Sequence, residues 1–158
     1  VNAALAIGRD EAEELLLREA DLLDDGDLEG WLGLYTYDAR YRIPGYDERG
    51  EPATAIADDD RARLEDRVWR LRSGNAHAQI PPSRTCRFVT GVRIEPDGEE
   101  ARVRSRLLIV EARRGERRVV AALVAHRLRR VGTQLRIVEK TIHLVDAAFP
   151  LYNLTFVL

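Results

Sequence analysis

One cysteine, three histidines and a single lysine leave this 158-residue chain little material for disulfides, metal centres or amine chemistry. Cys86 has no partner for an intrachain bridge. His77, His126 and His143 lie apart in sequence and no Cys-x-x-Cys pair exists, so neither a zinc nor an iron-sulfur spacing can be built. A Gly-rich phosphate loop, a Gly-x-Ser-x-Gly elbow and a dinucleotide fingerprint are all missing, which argues against nucleotide chemistry. No apolar run approaches the ~20 residues of a membrane span and no signal peptide is visible, so the expected compartment is the cytoplasm. A net charge of -2 provides no basic field, and neither nucleic acid nor an anionic membrane is expected as a partner. Lys140 is the only lysine among otherwise all-arginine cations, whose plain reading is solvated surface charge.

What is present is a core. Hydrophobic residues make up 45% and charged residues 33%, the balance of a globular chain, and the length suits one domain spanning residues 1–158. Residues 10–25 carry Ala12, Leu16, Ala20 and Leu23 at helical spacing, with Asp10 and Glu13 as a capping box and Gly26 as the stop. Asp27 caps a short second helix that turns Leu28, Trp31, Leu32 and Tyr35 inward. Residues 37–43 alternate, with Tyr37, Ala39, Tyr41 and Ile43 on one face, and Pro44 ends that strand. Residues 45–57 read as loop. The run Asp58, Asp59, Asp60 then opens a third helix carrying Leu64, Val68 and Leu71, which Gly74 ends before an irregular stretch containing Pro81 and Pro82. Residues 85–94, 101–112, 119–131 and 135–145 are strands separated by short turns, hence antiparallel neighbours. The expected fold is α+β, with N-terminal helices packed on one face of a strongly curved antiparallel sheet.

Few residues bear chemistry. His126 lies in the apolar run Val120, Ala122, Val124, His126, Leu128, where it could act as a general base oriented by Asp38, Tyr41 or Tyr35. The plainer reading is a buried histidine bonded to a neighbouring carbonyl, or one at a subunit contact. Asp38 alternates away from the Tyr41 face, which suits a surface ion pair with an arginine. Cys86 shares a face with Phe88, Val92 and Ile94 by simple alternation, as a small buried hydrophobe does. After the stiff Pro81-Pro82 corner, Arg84 and Arg87 point to opposite sides, an arrangement suited to protein contacts. The apolar ending, Leu151 to Leu158, predicts docking on its own sheet or in a neighbouring subunit.

The order of motifs resembles the small (β) subunit of aromatic-ring-hydroxylating dioxygenases. The resemblance rests on the helix at residues 14–24 with Trp31 and Tyr35, on Asp38-Ala39-Arg40-Tyr41-Arg42-Ile43-Pro44, and on Asp59-Asp60-Arg61 with Leu64-Glu65-Asp66-Arg67-Val68. It continues through Gly74-Asn75-Ala76-His77, Pro82-Ser83-Arg84-Thr85, Val103-Arg104-Ser105, Leu128-Arg129-Arg130 and the ending from Asn153 to Leu158. It implies a cystatin-like cone shared with nuclear transport factor 2 and scytalone dehydratase relatives. It further implies a homotrimer of this chain within an α3β3 terminal oxygenase, whose large subunit holds a Rieske cluster and mononuclear iron and which serves aromatic compound catabolism. On that reading the chain carries no cofactor, metal or catalytic residue, and Arg84, Arg87, Asn153, Phe156 and Leu158 belong to subunit interfaces. Departures are His77 where the family usually has tryptophan, Gln79 near a usual acid, and Ala125-His126-Arg127 in place of a Gly-Arg segment. The alternatives are a stand-alone dehydratase, isomerase or cyclase with His126, Asp38 and Tyr41 in an enclosed pocket, and a small-molecule-binding protein without chemistry.

Overall fold

A computed structural model describes residues 6–73, 83–146 and 157–158. The order is α1 (Arg9–Asp24), α2 (Leu28–Leu32), β1 (Tyr35–Tyr46), β2 (Pro52–Asp60), α3 (Arg61–Arg72), β3 (Arg84–Asp97), β4 (Glu100–Arg113), β5 (Glu116–Val131) and β6 (Gln134–Leu144). Gly8, with no side-chain cap, precedes α1, so Asp10 and Glu13 form no capping box; Asp10 and Glu11 instead place acid charge in the first turn. Gly26, at φ +73°, reverses the chain after α1, and the Asp27 side chain accepts from the Gly30 amide at 2.9 Å to start α2.

Six strands form one sheet in the order β2-β1-β6-β5-β4-β3. Every neighbouring pair is antiparallel except β1 with β6, which run parallel. The expectation of a strongly curved, wholly antiparallel sheet is therefore corrected twice. The sheet is not strongly curled, and β2 and β3 are its two separate edges rather than strands brought together. Alternation in a sequence reports which side of a strand is buried, whereas closure depends on strand tilt and stagger. Here β4 and β5 pair without a register shift from Glu100 to Arg113.

Irregularities elsewhere decide which side chains face inward. Between Thr90 and Arg93, β3 carries one more residue than β4, and Gly91 adopts φ +64° at that bulge. The bulge reverses the parity of β3. Cys86 and Phe88 are thereby exposed while Val92 is buried, correcting the expectation of one shared face and of a buried Cys86. A shift between Tyr35 and Arg40 in the pairing with β6 interrupts the alternation of β1 locally, so Tyr37 is exposed with the Arg61 guanidinium over its ring although Tyr35, Ala39 and Tyr41 on either side are buried. Pro44 does not end β1: a shift between Ile43 and Gly45 accommodates it, and β2 occupies part of the expected loop. Asp58 and Asp59 belong to β2, leaving Asp60 alone to cap α3 through the Arg63 amide at 2.9 Å.

The core lies between the helices and one sheet face. Ala12, Leu16 and Leu23 of α1, Trp31 of α2, and Leu64 and Val68 of α3 meet Val103, Ile109, Val124, Leu128 and Ile142 of the strands. Each large apolar side chain buried there contributes roughly 1.5–3 kcal/mol. At Gly45 a methyl group would run into the Thr54 backbone carbonyl across the β1–β2 pair. Gly45→Ala is thus expected to lower stability by about 1–3 kcal/mol, with hydrogen exchange accelerating in β2 before the rest of the sheet; unchanged exchange there would refute the tight approach.

Candidate functional site

The apolar stripe of α1 recurs at Ala12, Leu15, Leu16, Ala20 and Leu23, and Glu19 sits within it. Its side chain is 5% exposed. Glu19 Oε1 accepts from Trp31 Nε1 at 3.1 Å, from Tyr35 Oη at 3.0 Å and from Lys140 Nζ at 2.8 Å, while Oε2 faces His126 Nε2 at 3.0 Å. Five elements, α1, α2, β1, β5 and β6, thus meet on one carboxylate. Trp31 stands edge-on to both Tyr35 and Tyr41, with centroids 5.1 and 5.9 Å away, which closes the apolar side of the cluster.

Electrostatics hold this arrangement in one charge state. Burial alone raises the Glu19 carboxyl, but the Lys140 charge and the His126 hydrogen bond outweigh it and hold the group well below the usual carboxylate range. Burial lowers the Lys140 ammonium against the pull of Glu19. Burial, followed by the Glu19 charge, raises the Tyr35 phenol well above its ordinary value, and burial also raises Tyr41. Both phenols are donors. Because Glu19 is a carboxylate, the His126 nitrogen facing it carries a proton.

The chain ending docks against the same cluster. Tyr41 Oη donates to the Leu158 main-chain oxygen at 2.9 Å, and Lys140 Nζ donates to it at 3.1 Å. Arg87, 2% exposed, pairs with Asp24 at 2.5 Å and donates to the Val157 carbonyl. Val157 and Leu158 are both buried. Arg84 is exposed at the start of β3, whereas Arg87 and Leu158 are engaged within the chain. Asn153, Phe156 and His77 lie outside the described residues.

His126 and Tyr41 share this cluster, but Asp38 does not. Asp38 is exposed and pairs with Arg129 at 3.1 Å, as the surface reading expects. The space beside His126, lined also by Glu19, Ser105 and Lys140, offers a water centre only about 20 Å³, room for one water. That inner space is too small for a substrate, and the larger cleft of about 440 Å³ that His126 also borders is lined by the charged residues Glu95, Asp97, Arg102, Arg104, Arg127 and Glu139 and by neither Asp38 nor Tyr41. His143 is exposed on β6. Among the described residues no three His, Cys, Asp or Glu side chains gather to hold a metal ion, and no helix is long and apolar enough to cross a membrane.

Sequence reading missed Glu19 and Lys140. A lone acid inside an apolar helical stripe was the available signal, and the sole lysine, between Val138 and Ile142 on a buried face, was its complement.

The opposite face of the sheet is banded. At one end, ion pairs join Arg102 to Asp97, Arg104 to Glu95, Arg127 to Glu100, and Arg129 to both Glu100 and Asp38. At the other, Phe88 aligns with Leu108 and then Ala121, Cys86 with Val110 and Val119, and Arg106 with Leu123 and His143. Phe88, Leu108, Val119, Leu123 and Val145 are 40–70% exposed. Contiguous apolar exposure of this kind marks an interaction surface.

A family profile described as ring hydroxylating beta subunit matches residues 18–150. The chain belongs to this family. The p-cumate 2,3-dioxygenase small oxygenase component of Pseudomonas putida is 41% identical to this β subunit over 145 residues, covering 87% of the chain and 79% of the relative. The toluate 1,2-dioxygenase subunit beta of Pseudomonas putida is 32% identical over 57% of the chain and 60% of its own length. The crystal structure of the benzoate 1,2-dioxygenase beta subunit from Burkholderia mallei superposes with a TM-score of 0.82 at 25% identity, covering 96% of this chain and 98% of that one. A cystatin-like protein from Novosphingobium aromaticivorans, at 21% identity, shares the fold with a TM-score of 0.64 over 87% of this chain and 82% of its own. The protein is a small subunit of a ring-hydroxylating dioxygenase.

Removing the Glu19 carboxylate takes the acceptor from Trp31, Tyr35 and His126 and the counter-charge from Lys140. Glu19→Ala is expected to cost about 3–5 kcal/mol in denaturant unfolding, and Glu19→Gln less, since its amide oxygen still accepts. Because the folded carboxyl is held below its unfolded value of about 4.3, its stabilisation is complete above that pH and is lost as pH falls further. Acid titration of stability is therefore expected to flatten below pH ~4.3 in Glu19→Gln; an unaltered acid limb would contradict this role for Glu19.

Proposed function

We propose that this β subunit forms the non-catalytic scaffold of a terminal oxygenase, trimerising and pairing with three large subunits in an α3β3 assembly. The large subunit, on this reading, holds the Rieske cluster and mononuclear iron that add dioxygen to the ring, in the cytoplasm of a bacterium that degrades aromatic compounds. The observation that carries the reading is the family match across residues 18–150, joined by an exposed apolar band in a chain whose polar cluster is sealed. p-Cumate, toluate and benzoate, which appear in the relatives' names, are ring carboxylates. An aromatic acid is the substrate class proposed for the partnered enzyme.

In this assembly the Phe88, Leu108 and Leu123 band is the contact surface, with Arg84 at its border. Arg87 and Leu158 support it indirectly by fixing the chain ending to the core. Asn153 and Phe156 are proposed as contacts of the same ending.

Co-expression with a Rieske-type large subunit from the same organism, followed by native mass measurement, is expected to give equal numbers of the two chains. Leu123→Asp should shift the mass towards free subunits while leaving far-ultraviolet circular dichroism unchanged. A homo-oligomer that ignores the large subunit would defeat the proposal, and an intact hexamer in Leu123→Asp would remove this face from it.

A further inference from the structure

In the charged band on the outer face of the sheet, Arg40, Arg102, Arg104, Arg127 and Arg129 each pair with a carboxylate. Arg93 of β3 and Arg106 of β4 stand where that band meets the apolar one, and among the described residues neither has a carboxylate partner. Arg93 is in register with Arg104 across the two strands, and Arg106 lies two residues further along the same face. Like charges placed directly opposite one another weaken a sheet, so folding alone gives no reason for this grouping. The bulge at Gly91 makes room for it: a Cβ there would lie 2.7 Å from Arg106 Nη1.

Arg93, Arg104 and Arg106 line a cleft of about 500 Å³ together with Leu123, Ala125 and His143, and among the described residues no carboxylate lines it. Leu123 belongs also to the exposed apolar band of Phe88 and Leu108. His143 is shared with a second cleft of about 360 Å³ that Gly45, Ala53 and Ala55 line towards β2. The clefts thus adjoin across the outer face, over small side chains that let another chain segment approach the strands.

We propose that this trough seats an acidic segment of the large subunit, with an Asp or Glu carboxylate held by Arg93 and Arg106 and an apolar neighbour resting on Leu123. The inference rests on the scaffold reading above and adds what the partner brings to the contact. Arginine grips carboxylates through paired N–H donors and is enriched where interfaces are anchored. A small free anion would use the guanidinium groups and leave Phe88, Leu108 and Leu123 uncovered. A second copy docked face to face about a twofold axis would set these arginines against their own counterparts.

Lys140 is the chain's only lysine and is buried, so Arg93→Lys or Arg106→Lys gives the subunit a single exposed lysine. In the complex co-expressed with a Rieske-type large subunit from the same organism, a zero-length carbodiimide is expected to join the introduced lysine to an Asp or Glu of that subunit, located by peptide mass spectrometry. Arg106→Glu should weaken association roughly tenfold or more with far-ultraviolet circular dichroism unchanged. The same reversal at the exposed Arg70 of α3, on the helix side of the sheet, should change it less than about twofold. Cross-linking to a second copy of this chain, no cross-link in an intact complex, or equal weakening by Arg106→Glu and Arg70→Glu overturns the proposal. If the unaltered chain forms no complex, the scaffold reading falls and this inference with it. If the complex forms and Arg106→Glu leaves it equally tight, this inference alone falls.

Discussion

A carboxylate placed among leucines is the constraint around which this protein is organised. Glu19 lies on the face of α1 that meets the sheet, where an unpaired charge costs several kcal/mol. Its cost is offset only if donors from α2, β1, β5 and β6 arrive together at about 3 Å. A core made solely of leucine and valine tolerates sliding, because dispersion is indifferent to direction. Four directed bonds to one group do not. Clusters of this kind contribute less to net stability than to choosing one packing, since removing a single member is costly whereas replacing the whole set by apolar groups need not be.

The two faces of the sheet divide the work of the subunit. The inner face is covered by helices and by Val157 and Leu158, and the described residues leave room for one water there beside His126. The outer face satisfies its charges with one another at one end and leaves an apolar band uncovered at the other. Among the described residues the inner face is packed, and the exposed apolar and charged groups lie on the outside. That arrangement suits a subunit that acts through what it touches.

Much of this was legible from residues alone. The helices followed from the spacing of Leu16, Ala20 and Leu23 and of Leu64 and Val68, and the late strands followed from turns at Gly98, Gly115 and Gly132, each with positive φ. What escaped was parity and pairing. A bulge at Gly91 moves Cys86 and Phe88 to the opposite side from Val92, and alternation carries no mark of where such a residue is inserted. The parallel join of β1 to β6 and the openness of the sheet depend on contacts across a hundred residues, which local periodicity does not encode. Lys140 and Glu19 were individually visible as exceptions to apolar patterns. Their meeting was not, because it depends on the turn that α1 makes over β6.

The parallel join also sets an order of events during synthesis. β1 and β2 form a hairpin early, but the strand that completes the other side of β1 is β6, whose residues emerge only after three long strands have been made. Until then the nascent chain carries an unpaired β1 edge and a Glu19 without its lysine. Non-local pairing of this kind slows folding because a long loop must close before any contact repays it. The β1 edge is consequently the part of the sheet that waits longest for its partner, because residues 134–144 are the last of the six strands to be made.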